Sequence, residues 1–143
     1  MTTKKILING QWVNGEDRIV EIRSPHNNEL IANVSHASKS QMEEALETAS
    51  STFKIVKDLP AHLISDALLT VRDFIKDNSD RFTKALAIEA GKPIKIAQVE
   101  VDRALHTFET ASGEAMRLYG ETFPVDQKPW GENRFAMVHR FPL

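Results

Sequence analysis

From Ile94 onward, Ile94, Ala97, Val101, Leu105, Phe108, Ala111, Ala115 and Leu118 recur every three or four residues until Gly120. That period puts one apolar stripe on one face of a helix, which at about 1.5 Å per residue would run roughly 40 Å. A helix of that length is long for a domain of this size. The punctuation before it is equally specific. Gly91 sits where a left-handed helix C-cap belongs, Pro93 suits the first turn of the next helix, and Lys92 is the exposed residue between them.

Three further helices precede this joint. Met42, Ala45, Leu46, Ala49, Phe53 and Val56 mark one, with Ser38 or Ser40 as its cap and Gln41 or Glu43 three residues later. Leu59-Pro60 ends it, and Ile64, Leu68, Val71 and Ile75 begin a second stripe that stops near Asp77-Asn78. A shorter third helix passes through Phe82, Leu86 and Ala90.

Residues 5 to 35 change period and read as a small antiparallel β unit. Asn9-Gly10 and Asn14-Gly15 are hairpin-type dipeptides around Gln11-Trp12-Val13. Ile19 to Arg23 and Leu30 to Val34 are two more strand candidates. At the other end, Phe135, Met137, His139 and Phe141 alternate with Arg134, Ala136, Val138 and Arg140, the pattern of a strand. The fold class is therefore α+β: a small N-terminal β unit, four helices and one C-terminal strand.

At 143 residues the chain suits one domain or a piece of a larger one. Its net charge of -2 gives no pull toward nucleic acid or an acidic membrane surface. The N-terminal lysines are followed by only three apolar residues before Asn9-Gly10, too few for a signal-peptide core, and no stretch approaches membrane-spanning length. With no cysteine there is neither a disulfide nor a thiol nucleophile in these residues, and the cytoplasm is the expected compartment.

Chemical motifs fail one by one. A phosphate-binding loop needs Gly, four residues, then Gly-Lys-Ser/Thr after a strand; here Leu86 stands five residues before Gly91, Pro93 follows Lys92, and a helix precedes. The glycines are too scattered for a dinucleotide fingerprint. His26, His36, His62, His106 and His139 lack the spacing of a zinc helix. Glu43, Glu44 and Glu47, like Glu100 and Asp102, read as the wet faces of amphipathic helices, and Lys92, Glu100 and Arg103 are placed to pair with one another or with a neighbouring element. No catalytic, cofactor-binding or metal-binding residue is assigned.

The order of short segments is nevertheless informative. "INGQWV" (Ile8 to Val13), Ser24-Pro25, Ala37-Ser38, "EAGKP…EVDRA" (Glu89 to Ala104), "GETFPVD" (Gly120 to Asp126) and "HRFPL" (His139 to Leu143) follow in sequence. That succession resembles the N-terminal part of the NAD(P)-dependent aldehyde dehydrogenase superfamily, including members acting on succinate semialdehyde and lactaldehyde. The resemblance implies an α/β fold in the full-length family, with residues 1–125 as the N-terminal portion of the cofactor-binding domain. It implies that residues 126–143 are a linker and the first strand of an oligomerisation arm, Arg134, Phe135, Ala136, Met137, Val138, His139, Arg140 and Phe141, which adds to a neighbouring subunit's sheet.

The family's reaction oxidises an aldehyde to a carboxylate with NAD or NADP. A thiol attacks the aldehyde, a glutamate activates water, and an asparagine with a backbone N–H holds the oxyanion. The resemblance implies that these groups lie beyond Leu143, so the 143-residue chain is expected to bind no cofactor, to be inactive alone, and to self-associate as a homo-oligomer. An alternative from another class is a non-enzymatic oligomerisation or regulatory module.

Overall fold

A computed structural model describes residues 3–141; Met1, Thr2, Pro142 and Leu143, parts of the N-terminal portion and of the closing "HRFPL", lie outside the described residues. The N-terminal unit contains β1 (Thr3–Lys4), β2 (Ile6–Ile8), β3 (Gln11–Val13), β4 (Ile19–Arg23) and β5 (Leu30–Ser35). Four helices follow: α1 (Lys39–Val56), α2 (Ala61–Asp77), α3 (Ser79–Ala90) and α4 (Ile94–Ala115). The chain then forms β6 (Glu121–Pro124), a single 3₁₀ turn (Pro129–Gly131) and β7 (Phe135–Val138).

β2 and β3 pair antiparallel, with Ile8 opposite Gln11. The two residues between them, Asn9 and Gly10, have φ of 50° and 73°. Positive φ at both positions is what a type I′ turn demands, and Asn-Gly is the dipeptide that meets it with least strain. The second Asn-Gly pair does something else. Asn14-Gly15 starts the connection to β4, and the Gly15 N–H donates to Ser35 Oγ at 2.9 Å.

The larger sheet has the order β1-β5-β4. β4 and β5 are antiparallel, with a register irregularity between Ile22 and Arg23, but β1 runs parallel to β5, Thr3 facing Asn33 and Lys4 facing Val34. The expectation of a purely antiparallel unit is thus corrected. The intervening hairpin and β4 give the chain enough length to return beside β1 in the same direction, and local periodicity carries no record of that. Ser35, only 4% exposed, ties the parts together by donating to the Lys4 carbonyl at 3.0 Å while accepting from Gly15.

Of the two cap candidates, Ser38 is the one used. Its Oγ accepts from Gln41 N, and Gln41 Oε1 accepts in return from Ser38 N at 3.1 Å, a capping box. The same Gln41 Oε1 also accepts from Glu16 N at 3.0 Å, while Nε2 donates to the Asn14 carbonyl at 2.9 Å. A buried amide that both accepts and donates explains glutamine over the more usual glutamate here. Gln41→Glu, lacking that donor and carrying a charge toward a carbonyl, should lower unfolding free energy by about 1.5 kcal/mol, read from urea denaturation.

α4 lies against both α2 and α3. Ala97 is 0% and Val101 3% exposed on its inner face. Polar bridges accompany this packing: Ser65 and Ser112 Oγ are 2.7 Å apart between α2 and α4. Between α3 and α4, Thr83 Oγ1 donates to Gln98 Oε1 at 3.1 Å, and Gln98 Nε2 donates to Ser79 Oγ at 3.2 Å. α4 stops at Ala115 rather than near Gly120, so it spans about 33 Å. Tight bonds then take over, Arg117 N to Glu114 O and Tyr119 N to Arg117 O, turning the chain toward β6.

Ile8, Ala97 and Val101 are the buried apolar side chains among the described residues, and no large side chain there is completely enclosed. By contrast Phe74, Leu118, Tyr119 and Trp130 are 54%, 70%, 68% and 75% exposed.

Candidate functional site: the Gly91–Lys92 joint and the C-terminal hairpin

Gly91 adopts φ 64° and ψ 21° at the end of α3, the left-handed cap expected of it. A side chain there would also strike a neighbour, because an added Cβ would stand 2.9 Å from Cγ of Pro25. Pro25 belongs to the turn between β4 and β5, where Asn28 N donates to the Ser24 carbonyl at 2.9 Å and Asn28 has φ 59°. Ser24-Pro25 and Gly91, distant in the chain, therefore meet as one joint.

Pro93 takes the N-cap position with extended ψ of 135°, one residue earlier than the first-turn position expected, and α4 begins at Ile94. The shift leaves the Pro93 carbonyl free to accept from Ile96 N and Ala97 N at 2.9 and 3.0 Å. Lys92 is half-buried rather than exposed, and it makes one of the pairings that its place near Glu100 and Arg103 allowed. Its Nζ contacts both carboxylate oxygens of Glu100 at 2.5 and 2.7 Å, and each side chain is 37% exposed. Arg103 takes no part in that pair.

The joint opens onto a cleft of about 720 Å³ lined by Ser24, His26, Glu29, Ile31, Ile88 and Lys92 among others. Its one lysine already faces a carboxylate, and the preceding element is helix α3 rather than the strand that leads into a phosphate-binding loop. Glu89 is exposed. Among the described residues no three His, Cys, Asp or Glu side chains stand close enough together to hold a metal ion.

At the C-terminal end the single strand expected over Arg134 to Phe141 is corrected in two respects. The strand itself is Phe135–Val138, and it pairs antiparallel with β6, Glu121 facing Val138 and Pro124 facing Phe135. Arg134, His139, Arg140 and Phe141 lie outside it; His139 Nε2 sits 2.8 Å from Met137 Sδ, and its ring is 6.3 Å from that of Phe141. In the sequence β6 is masked by Pro124. Proline is compatible with an edge strand, and Thr122-Phe123 supplies the β-favouring residues.

Two glycines let the hairpin close. A Cβ on Gly120 would meet the Val138 carbonyl, and one on Gly131 the Val125 carbonyl, both at 1.8 Å. Phe135 and Met137 remain 66% and 59% exposed, and the sheet has two strands only, so each strand keeps an open edge among the described residues. Ala136 is half-buried and Val138 exposed.

These elements define a helix-and-hairpin portion of a larger α/β architecture. The aldehyde dehydrogenase family model matches residues 12–143. Lactaldehyde dehydrogenase of Methanococcus aeolicus is 32% identical over 121 residues, which are 85% of this chain and 26% of that protein. The mitochondrial succinate-semialdehyde dehydrogenase of Oryza sativa subsp. japonica is 34% identical over 138 residues, 96% of this chain and 25% of its own. Among solved structures, an NADP-dependent glyceraldehyde-3-phosphate dehydrogenase from Bacillus halodurans, complexed with NADP, superimposes with a TM-score of 0.91 at 29% identity, covering 100% of this chain and 30% of that one. Aldehyde dehydrogenase 21 from Physcomitrella patens, in complex with succinate, gives 0.88 at 25% identity over 94% of this chain and 28% of its own.

The chain belongs to the aldehyde dehydrogenase family, as the order of its short segments indicated. It spans about a quarter of the length of the curated relatives it matches.

Proposed function

We propose that these residues are the N-terminal portion of an NAD(P)-dependent aldehyde dehydrogenase, cytoplasmic and homo-oligomeric, whose full length oxidises an aldehyde to a carboxylate. The observation that carries the family and cofactor reading is the family match over residues 12–143, supported by superposition on an NADP-complexed relative across the whole chain. Residues 1–125 would be the part of the cofactor domain that contributes helices, and 126–143 the linker and arm.

The portion does not perform the chemistry alone. In the family's reaction a thiol adds to the aldehyde carbonyl, the adduct gives up hydride to NAD(P)+ to become an acyl-enzyme, and water then releases the carboxylate; residues 1–143 contain no cysteine to serve. Lys92, the one cation at the central joint, is held by Glu100. Its role is architectural.

The purified 143-residue protein should form no NAD(P)H from any of a panel of small aldehydes, monitored by NAD(P)H fluorescence against a protein-free blank. Nucleotide reduction above that blank would overturn the assignment. Its mass should also rise with concentration in sedimentation, because the bare faces around Phe74 and Leu118 and the open edge of β7 are left to pair with further copies. A monomer mass at every concentration would remove the self-association.

A further inference from the structure

The chain contains two Asn-Gly pairs in the same N-terminal unit, and the fold treats them oppositely. Asparagine is a thermolabile residue. Its spontaneous loss of ammonia proceeds when the backbone nitrogen of the following residue attacks the side-chain amide carbon, a geometry that glycine hinders least because it lacks a Cβ. Whether a given Asn-Gly pair reacts then depends on whether that nitrogen is free to swing toward the side chain.

At Asn9-Gly10 it is free. Both residues are exposed at the tip of a hairpin only three residues long on each side. No atom lies within 4 Å of where a Gly10 Cβ would stand. Neither the Gly10 N–H nor the Asn9 side chain makes a hydrogen bond among the described residues. At Asn14-Gly15 the nitrogen is held. Gly15 N–H donates to Ser35 Oγ at 2.9 Å, the Asn14 carbonyl accepts from Gln41 Nε2 at 2.9 Å, and the place of a Gly15 Cβ is 2.2 Å from the His36 carbonyl oxygen. The anchoring side chains, Ser35 and Gln41, are themselves 4% and 7% exposed, so the restraint belongs to the interior of the unit.

We propose that Asn9 is a site of spontaneous covalent modification, converting through a cyclic succinimide to isoaspartate and aspartate, while Asn14 is protected by the Ser35–Gln41 clasp. The Gly10 nitrogen forms a bond to Asn9 Cγ, the Cγ–Nδ2 bond breaks, and ammonia departs carrying the proton lost from the Gly10 amide. Water then opens the ring at either carbonyl. No oxidant or cofactor is consumed, and the product gains one negative charge. The isoaspartyl product routes the backbone through the former side chain and adds a methylene to the turn. A two-residue type I′ connection no longer fits, and Ile8, buried at 6% exposure beside the turn, loses its facing partner Gln11.

The test is prolonged incubation of the 143-residue protein at mildly alkaline pH and physiological temperature, followed by peptide mapping with mass spectrometry and methyl labelling by an isoaspartyl methyltransferase. Product at Asn9 should accumulate at least about fivefold faster than at Asn14, the factor that one net hydrogen bond corresponds to. Asn9→Gln should abolish most methyl acceptance, since the longer side chain closes a less favourable ring. Ser35→Ala should raise the rate at Asn14 toward that at Asn9. If that variant unfolds, wild-type protein in urea answers the same question, because the two rates should converge there. Equal rates in the folded protein, faster reaction at Asn14, or a ratio unchanged by urea would each overturn the proposal.

Discussion

Gly15→Ala is expected to lower the unfolding free energy by about 3 kcal/mol, the upper range for forcing a methyl into a filled space. The added Cβ would sit 2.2 Å from the His36 carbonyl oxygen and 2.6 Å from its carbon. Both are main-chain atoms, so no rotamer change relieves the clash. That carbonyl accepts from Asp17 N at 3.1 Å, and His36 N donates to the Arg18 carbonyl at 2.9 Å, so displacing either strand segment weakens the pairing that closes β4 on β5. The Ser35 Oγ acceptor, almost wholly buried, would lose its Gly15 donor as well. A fall in melting temperature of about 10 °C follows for a domain of this size. Thermal unfolding followed by circular dichroism measures it, and a shift of a degree or two would mean that the contact relaxes without cost.

Gly91→Val should cost about 2–3 kcal/mol by a different route. The φ of 64° places residue 91 in the left-handed region, where a β-branched side chain is a steric outlier. The valine Cβ would also lie 2.9 Å from Pro25 Cγ, pushing the β4–β5 turn away from the α3–α4 joint. Gly91→Asn separates the two causes, since asparagine tolerates that conformation yet still carries the Cβ. If backbone strain dominates, Asn recovers most of the loss in a denaturant titration. If the Pro25 contact dominates, both variants fall together.

The contrast between these two glycines bears on how much of the fold was readable beforehand. Gly91 was placed as a left-handed cap from its position alone, after an apolar helical stripe and before a proline. Capping is a local affair of a few backbone groups, and its signal is local too. The same holds for Ser38 and Gln41, for the breaks at Pro60 and Asn78, and for the Asn9-Gly10 turn. Gly15 was read as a hairpin residue because Asn-Gly favours such turns. Its actual role depends on His36, far along the chain, and no local pattern encodes that approach.

The C-terminal end shows the same division. Alternation from Arg134 to Phe141 identified extended chain but placed strand ends too far out, since alternation continues past the last paired residue, Val138. β6 was hidden by Pro124, and its existence is set by the partner across the hairpin, together with the side-chain-free approach of Gly120 to Val138. The sequence places Lys92 between two helices and within reach of Glu100 and Arg103, without deciding which of them it meets. The first turns of α4 bring Glu100 back over it, eight residues on.

Periodicity, caps and breakers along this chain were enough to specify four helices, a β-rich beginning and a strand near the end, because each depends on backbone and side-chain preferences within a turn or two. The order of short segments was enough to point to the family. What required the folded molecule was the contacts between residues far apart in sequence or across a hairpin: the parallel placement of β1 on β5, the Pro25–Gly91 joint and the β6–β7 hairpin. Such contacts are selected by which surfaces fit once the chain has collapsed, and their free energy belongs to pairs of residues that no window along the sequence contains.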